Sequence, residues 1–186
     1  VLAPRDITQQ MVWDFIHTHQ NEQNEDVLDL CCGSGCIGIA IKKHIPSFNV
    51  TCVDKYWGPI LNTYANARKH KIALTIDHKD AIEYLNTKNH LGYLISNPPY
   101  INEANFNNTQ MYRWEKKQAL VADDNGLYFY KKSIEWLGKH TFKEAWLEVG
   151  YDLVERLKQE INVYPDLVAT FNSEVGYVVI KRNFQN

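Results

Sequence analysis

No stretch of this 186-residue chain approaches the roughly 18–20 consecutive apolar residues of a membrane span, and no signal-peptide pattern opens it. Membrane and secreted classes are set aside, and a cytoplasmic location is expected. Positive charge is also in short supply. The formal net charge is -2, and basic residues come only as scattered pairs such as Lys42-Lys43 and Lys131-Lys132. No stripe is available to follow a phosphate backbone, so direct nucleic-acid binding is not expected. Cysteine is scarce, and of the four residues Cys31, Cys32 and Cys36 crowd one turn while Cys52 stands apart. That crowding suits no disulfide framework, and no second Cys pair or His-x-x-His nearby completes a zinc spacing. No metal is expected, and the four are read as thiols of a reducing compartment. Cys32, close to a helix N-terminus that favours thiolate, is the one expected to oxidise in air when its loop is empty.

Repeats, low-complexity tracts and linkers are absent too. One domain over residues 1–186 is expected, inside the roughly 100–200 residues of a single core. The chain opens on Val1 rather than methionine and a motif follows almost at once. It is therefore read as a trimmed piece with an upstream domain missing.

What is present alternates. Residues 8–19, 37–45, 81–85, 126–137 and 152–161 have helical spacing or length, and a further helix begins near Pro59, which suits a first turn. Short apolar runs at 27–30, 50–53, 74–76, 91–95 and 145–149 read as buried strands between them. This order predicts an α/β fold with a doubly wound, Rossmann-like and mostly parallel sheet. Residues 167–171 and 177–180 are separated by Asn172-Ser173-Glu174-Val175-Gly176, too short for a crossover helix. They predict a C-terminal hairpin that adds an antiparallel strand. Residues 97–122 are polar, aromatic and aperiodic, and a loop of that length after a strand reads as an active-site cover.

Two motifs carry chemistry. Asp29-Leu30-Cys31-Cys32-Gly33-Ser34-Gly35-Cys36-Ile37-Gly38 runs from strand into helix, with Gly33, Gly35 and Gly38 in G-x-G-x-x-G order and Asp54 21 residues after Gly33. Glycines let a ligand approach the backbone, and an acid after the second strand accepts from two ribose hydroxyls. A nicotinamide dinucleotide and S-adenosylmethionine both fit. Asp80, after the third strand, reads equally as an acceptor for an adenine edge and as the N-cap of the helix that follows.

Asn97-Pro98-Pro99-Tyr100 ends the fourth strand on the same crevice. An amide or aromatic amine is a poor nucleophile because its lone pair is delocalised. The Asn97 oxygen and the Pro98 carbonyl can each accept one N–H of a single NH₂, fixing its plane and enriching the nitrogen. Pro99 keeps Pro98 extended, and Tyr100 offers a face to a flat group. A methyl donor on cationic sulfur then needs only alignment and acceptors for developing positive charge. A plain strand-ending turn stiffened by prolines is the bland alternative.

The ordered set resembles the HemK-type protein glutamine methyltransferases of the class I S-adenosylmethionine-dependent fold. Leu2-Ala3-Pro4-Arg5 is similar to that family's entry motif, and residues 29–37 to its cofactor loop. Asn97-Pro98-Pro99-Tyr100 follows, then Tyr112-Arg113-Trp114-Glu115 with Ala119-Leu120 resembles the covering segment, and Leu147-Glu148-Val149-Gly150 the fifth strand. The resemblance implies cofactor contacts along the loop opened by Asp29, at Cys31, Cys32, Gly33, Ser34 and Gly35, and at Asp54, Asp80, Ala81 and Asn97. It implies substrate glutamine contacts at Asn97, Pro98, Pro99 and Tyr100, with Asn97, Pro98 and Tyr100 as the catalytic set.

Four positions depart from the family. Cys31 replaces the first loop glycine, so its backbone is expected to do without a positive φ. Ala81 is small where a bulky residue is common, Lys116 replaces a proline, and Thr8-Gln9-Gln10 lacks an acid. The expected substrate is a protein: a large-subunit ribosomal protein, favoured by the loop and Tyr112-Arg113, or a peptide-chain release factor. The resemblance implies an N-terminal helical docking domain, and this chain is expected to lack it. An adenine-directed DNA or RNA methyltransferase would use the same clamp on a flipped base, though the charge speaks against it. A dehydrogenase explains the glycines but not the prolines, and a non-enzymatic binding domain leaves the clamp idle.

Overall fold

The computed structural model describes residues 5–108 and 117–183. Among them β1 (Asp26–Leu30), β2 (Asn49–Asp54), β3 (Thr75–His78), β4 (Tyr93–Ser96), β5 (Glu144–Glu148), β6 (Leu167–Asn172) and β7 (Tyr177–Arg182) make one sheet, ordered β3-β2-β1-β4-β5-β7-β6. The first five strands pair in parallel, and β7 runs antiparallel between β5 and β6. This is the doubly wound sheet expected from the sequence, with its C-terminal hairpin. Strand order reverses between β1 and β4, and the crevice at their carboxyl ends is where such sheets take ligands.

Helices cover both faces. Met11, Val12, Phe15 and Ile16 of α1 (Asp6–His19) pack with Ile37 and Ile41 of α2 (Cys36–His44) on one face. The two positions a turn further on repeat the first pair, giving the helix one apolar stripe. Beside them lies α3 (Trp57–His70), with Pro59 in its first turn, where a missing N–H costs nothing. On the opposite face α4 (Ala81–Leu85), α6 (Tyr128–Lys139) and α7 (Val154–Asn162) bury Leu85, Leu137 and Leu157 against Leu94 and Leu147. Between β4 and α6 the region expected to be aperiodic holds α5 (Glu103–Asn108) and a 3-10 turn at Lys117–Ala119. The helix is too short for an apolar period, and its start is a local bond from the Asn105 N–H to the Asn102 side chain at 2.7 Å. Residues 109–116, with Tyr112-Arg113-Trp114-Glu115 and Lys116, lie outside the described residues, as do residues 1–4 of the entry motif.

β5 is apolar except at its ends, where Glu144 and Glu148 are both buried. Each fixes one end of α1. Thr8 Oγ1 donates to Glu148 at 2.5 Å, and His19 Nε2 lies 3.0 Å from Glu144. About 16 Å of helix is thereby matched to about 13 Å of strand. The other His19 nitrogen lies 2.8 Å from Glu22, whose second oxygen accepts from the Tyr93 hydroxyl at 2.7 Å. With a carboxylate on each nitrogen the ring donates twice, as imidazolium. Burial works against that charge, but the bonds to Glu144 and Glu22 outweigh it and raise the His19 pKa. Burial opposes the two carboxylates as well. Bonds from Tyr93, His19 and Lys143 still hold Glu22 at about 2, and those from His19, Lys181 and Trp146 hold Glu144 at about 2.

The signs define a pH window. A raised histidine contributes fully below its unfolded value near 6.5 and loses that contribution as pH climbs through the raised one. Lowered carboxylates contribute above 4.5 and lose it as pH falls toward 2. The stability difference between wild type and His19→Leu is therefore expected to be largest between about pH 5 and 6.5 and to shrink on both sides. Urea unfolding of the two proteins across pH checks this, and a difference that grows above pH 8 overturns it.

Candidate active site

The turn from β1 into α2 gathers three left-handed residues, Cys31 (φ 57°), Gly33 (φ 59°) and Gly35 (φ 75°). At Gly35 the conformation and the space agree, since a Cβ there would stand 2.6 Å from Thr63 Cγ2. At Gly38 a Cβ would meet Cys52 Sγ at 2.5 Å, so the glycine lets α2 close onto the sheet. Cys31 is the surprise. Its backbone takes the positive φ that the replacement of glycine was expected to forbid. The side chain is half-buried and packed against the core on the α6 face, which holds the strained residue in place.

Asp29 sits wholly buried beneath the turn. Its Oδ2 accepts the Gly38 N–H at 3.0 Å and the Cys52 thiol at 3.7 Å, while Oδ1 has no partner among the described residues. Burial pushes the carboxyl up to about 7 despite those two donors. Asp54 ends β2 and holds the turn from the other side, accepting the Gly33 N–H at 3.0 Å and the Tyr56 N–H at 3.0 Å. Burial raises its pKa as well, with those N–H groups pulling the other way. Asp80 is the N-cap of α4, its Oδ1 accepting from Ile82 and Glu83 at 2.9 and 3.3 Å. Its other oxygen lies 3.5 Å from Lys55 Nζ.

These strand ends enclose a cavity of about 400 Å³, within the range of small-molecule sites. Cys31, Gly33, Asp54, Asp80, Ala81, Asn97 and Pro99 are on its wall, joined by Lys55, Tyr56, Lys117, Ala119, Val121 and Phe129. Other residues expected at the site stand behind the wall. Asp29 and Gly35 support the turn. Pro98 is buried, and the Ser34 carbonyl accepts from Asn66 at 2.9 Å. Cys32 is 4% exposed with its sulfur 3.6 Å from Thr63 Oγ1. It is thus covered by α3, in keeping with the buried or half-buried thiols read from the sequence, and that cover stands against the air oxidation expected of it. Tyr100 turns its hydroxyl away from the cavity to Glu148, at 3.2 Å.

Behind Asn97 lies a polar group that motif reading passed over. Asn97 Nδ2 donates to Thr8 Oγ1 at 3.0 Å, and Thr8 in turn donates to Glu148. One signal was available: a carboxylate inside the apolar run Ala145-Trp146-Leu147-Glu148-Val149 must find partners if it is buried. Among the described residues no group of three or more His, Cys, Asp or Glu side chains is arranged to hold a metal ion, and no helix is long and apolar enough to cross a membrane.

The sequence model of the methyltransferase small domain matches residues 6–123. The chain belongs to that family. It is 34% identical over 172 residues to a release factor glutamine methyltransferase of Staphylococcus aureus, a match covering 89% of this chain and 61% of the relative. A release factor glutamine methyltransferase of Chlamydia trachomatis is 30% identical, with 86% of this chain and 56% of that one covered. The resemblance read from the motifs is thereby borne out, and the chain spans about three-fifths of the length of these curated relatives. A crystal structure of a ribosomal protein L11 methylase from Lactobacillus delbrueckii subsp. bulgaricus shares the fold, with a TM-score of 0.68 at 14% identity. That match covers 96% of this chain and 80% of the other.

The Cys31 backbone gives a stability test. A β-branched side chain crowds the left-handed region most, so Cys31→Val is expected to destabilise by about 1–3 kcal/mol. Cys31→Gly, which the backbone accepts without strain, is expected to stay within about 1 kcal/mol of wild type. Chemical denaturation ranks the two, and equal stabilities would show that the turn adapts freely.

Proposed function

We propose that this chain is the catalytic domain of an S-adenosylmethionine-dependent methyltransferase that acts on the side-chain amide nitrogen of a glutamine in a translation protein. One observation carries the reading: Asn97 and Pro99 share a cavity wall with Gly33 and Asp54, so an amide clamp and a nucleoside cradle face each other. The donor set fits the cofactor. A carboxylate offers about four acceptor positions; the Gly33 and Tyr56 N–H groups occupy two on Asp54 and the Lys55 N–H bonds to it as well, and what remains serves the ribose. Ala81 and Ile82 give an apolar wall, with the Asp80 carboxylate beside them. When bound, S-adenosylmethionine supplies an electrophilic methyl group on a cationic sulfur.

The chain supplies the rest. Asn97 Oδ1 accepts one hydrogen of the substrate NH₂. The backbone carbonyl of Pro98, whose ring stands behind the wall between the lining residues Asn97 and Pro99, accepts the other, with Pro99 keeping it aimed by restricting Pro98. Fixing the amide plane in line with the methyl group removes much of the entropic barrier. The acceptors gain strength as the nitrogen loses conjugation and becomes positive.

A release factor is the substrate that the names of the relatives favour. The loop at residues 29–37 and Tyr112-Arg113 favour a large-subunit ribosomal protein instead. Incubation with labelled S-adenosylmethionine and a release factor, ribosomal proteins or DNA, followed by locating the label, separates these. Label on glutamine of the release factor is expected; label on adenine alone overturns the reading.

Two substitutions test its halves. Asp54→Ala leaves the ribose hydroxyls without their charged acceptor and is expected to weaken cofactor binding by about 1.5–3 kcal/mol. Calorimetry measures this, and tighter binding of a nicotinamide dinucleotide than of S-adenosylmethionine contradicts the cofactor assignment. Asn97→Ala is expected to slow single-turnover methyl transfer by about 10²–10³, by analogy with an oxyanion-hole donor, while cofactor affinity changes far less. Transfer at the wild-type rate would reduce the tetrapeptide to a stiff turn.

A further inference from the structure

An acceptor role for Asn97 raises a problem of orientation. A carboxamide is nearly the same shape after a half-turn about its last bond, but the half-turn exchanges an acceptor for a donor. Turned the wrong way, Asn97 would meet the substrate NH₂ with its own NH₂, and two donors would face each other. The structure holds a device that prevents this. The Glu148 carboxylate is 1% exposed and accepts the Thr8 hydroxyl at 2.5 Å and the Tyr100 hydroxyl at 3.2 Å. A hydroxyl has a single proton. Thr8 gives that proton to Glu148, so toward Asn97 it can only accept, and the 3.0 Å contact comes from Asn97 Nδ2. Oδ1 is then the branch turned away from Thr8, on a residue that lines the cavity.

We propose that Thr8 and Glu148 are positioning residues, a hydrogen-bond relay that locks the Asn97 amide with its oxygen toward the substrate nitrogen. Glu148 acts through the Thr8 hydroxyl and by its own bond to the Asn97 side chain. The proposal rests on the glutamine methyltransferase reading for its use, and on bond polarity alone for its geometry. Direction in the relay comes from the ionised carboxylate, which can accept but not donate. A protonated Glu148 could donate to Thr8, whose own proton would then be free to hold Asn97 the other way round.

Among the described residues the charged and titratable surroundings of Glu148 are few. Arg5 at the start of α1 lowers its pKa through space, and Tyr100 follows β4. Tyr130 on α6 donates to the Glu148 backbone carbonyl at 2.6 Å. Tyr177 pairs with Glu148 across β5 and β7 but turns its hydroxyl to Asp14 at 2.6 Å. Burial raises the Glu148 pKa above its ordinary value, against Thr8, Tyr100, Arg5 and Asn97. The acid limb of methyl transfer is therefore expected to carry this group.

Thr8→Val keeps the side-chain shape and removes the hydroxyl, whereas Thr8→Ser keeps the hydroxyl. With a glutamine-bearing release factor, Thr8→Val and Glu148→Gln are expected to lower kcat by about 10–100-fold, part of the loss for a missing preorganised group. KM and S-adenosylmethionine affinity should stay within about twofold, because the amide acts mainly on the transition state. Thr8→Ser should restore kcat to within about threefold of wild type, and Glu148→Gln should lose the acid limb. Exchange protection of the Asn97 carboxamide protons, read by NMR, reports the lock without turnover: present in wild type and Thr8→Ser, lost in Thr8→Val and Glu148→Gln. Wild-type kcat or wild-type protection in Thr8→Val overturns the proposal, as does equal damage by Thr8→Val and Thr8→Ser. If wild type methylates no glutamine yet the protection pattern holds, the functional reading fails and the relay stands.

Discussion

The structure depends on a buried carboxylate at each end of one strand. Glu144 and Glu148 bracket β5, and each would be prohibitively unstable without a partner on α1. Their demands are met by a histidine at one end of the helix and a threonine at the other. Apolar packing of Met11 and Phe15 could be satisfied by several small slides of α1 along the sheet. The polar pairs cannot, because hydrogen bonds tolerate only a few tenths of an ångström. The helix is thereby registered on the sheet, and Thr8 is delivered beside Asn97.

The same logic links fold to chemistry at the first turn. Asp29 holds α2 from below through the Gly38 N–H, and Asp54 holds the turn from the side through Gly33. These two acids have similar sequence surroundings and separate tasks. Asp29 is sealed in, and burial pushes its carboxyl up to about 7. Asp54 keeps an edge on the cavity. Burial divides an acid sealed under the turn from one that faces the crevice.

Much of this was legible in the sequence, for reasons that differ by element. The alternation of apolar strands and amphipathic helices gave the parallel sheet, and Asp80 marked the start of α4 because its cap is a local bond. β3 was displaced by a residue or two, since it is an edge strand whose members are half-buried or exposed and Leu74 precedes it. The helix α5 escaped because its start is set by an asparagine turn instead of a period. Cys31 misled because residue type reports the cost of a left-handed backbone and not whether the surrounding core imposes it. The relay could not be read at all, for Thr8 and Glu148 stand 140 positions apart and each is unremarkable alone.

The place of β7 has a consequence for the order in which the site is built. β5 carries Glu148, yet one of its flanking neighbours is β7, a strand made some thirty residues later. During synthesis, β1 to β4 can pair as they emerge, while β5 presents a bare edge until residues 177–182 arrive to zip down it. Every backbone bond that fixes Glu148 from that side thus comes from the last strand of the sheet. The glycine turn, completed by residue 54, can form early; Thr8 and Asn97 gain their backing from Glu148 only when the hairpin closes. A nascent chain would shape one wall of its cavity well before the other.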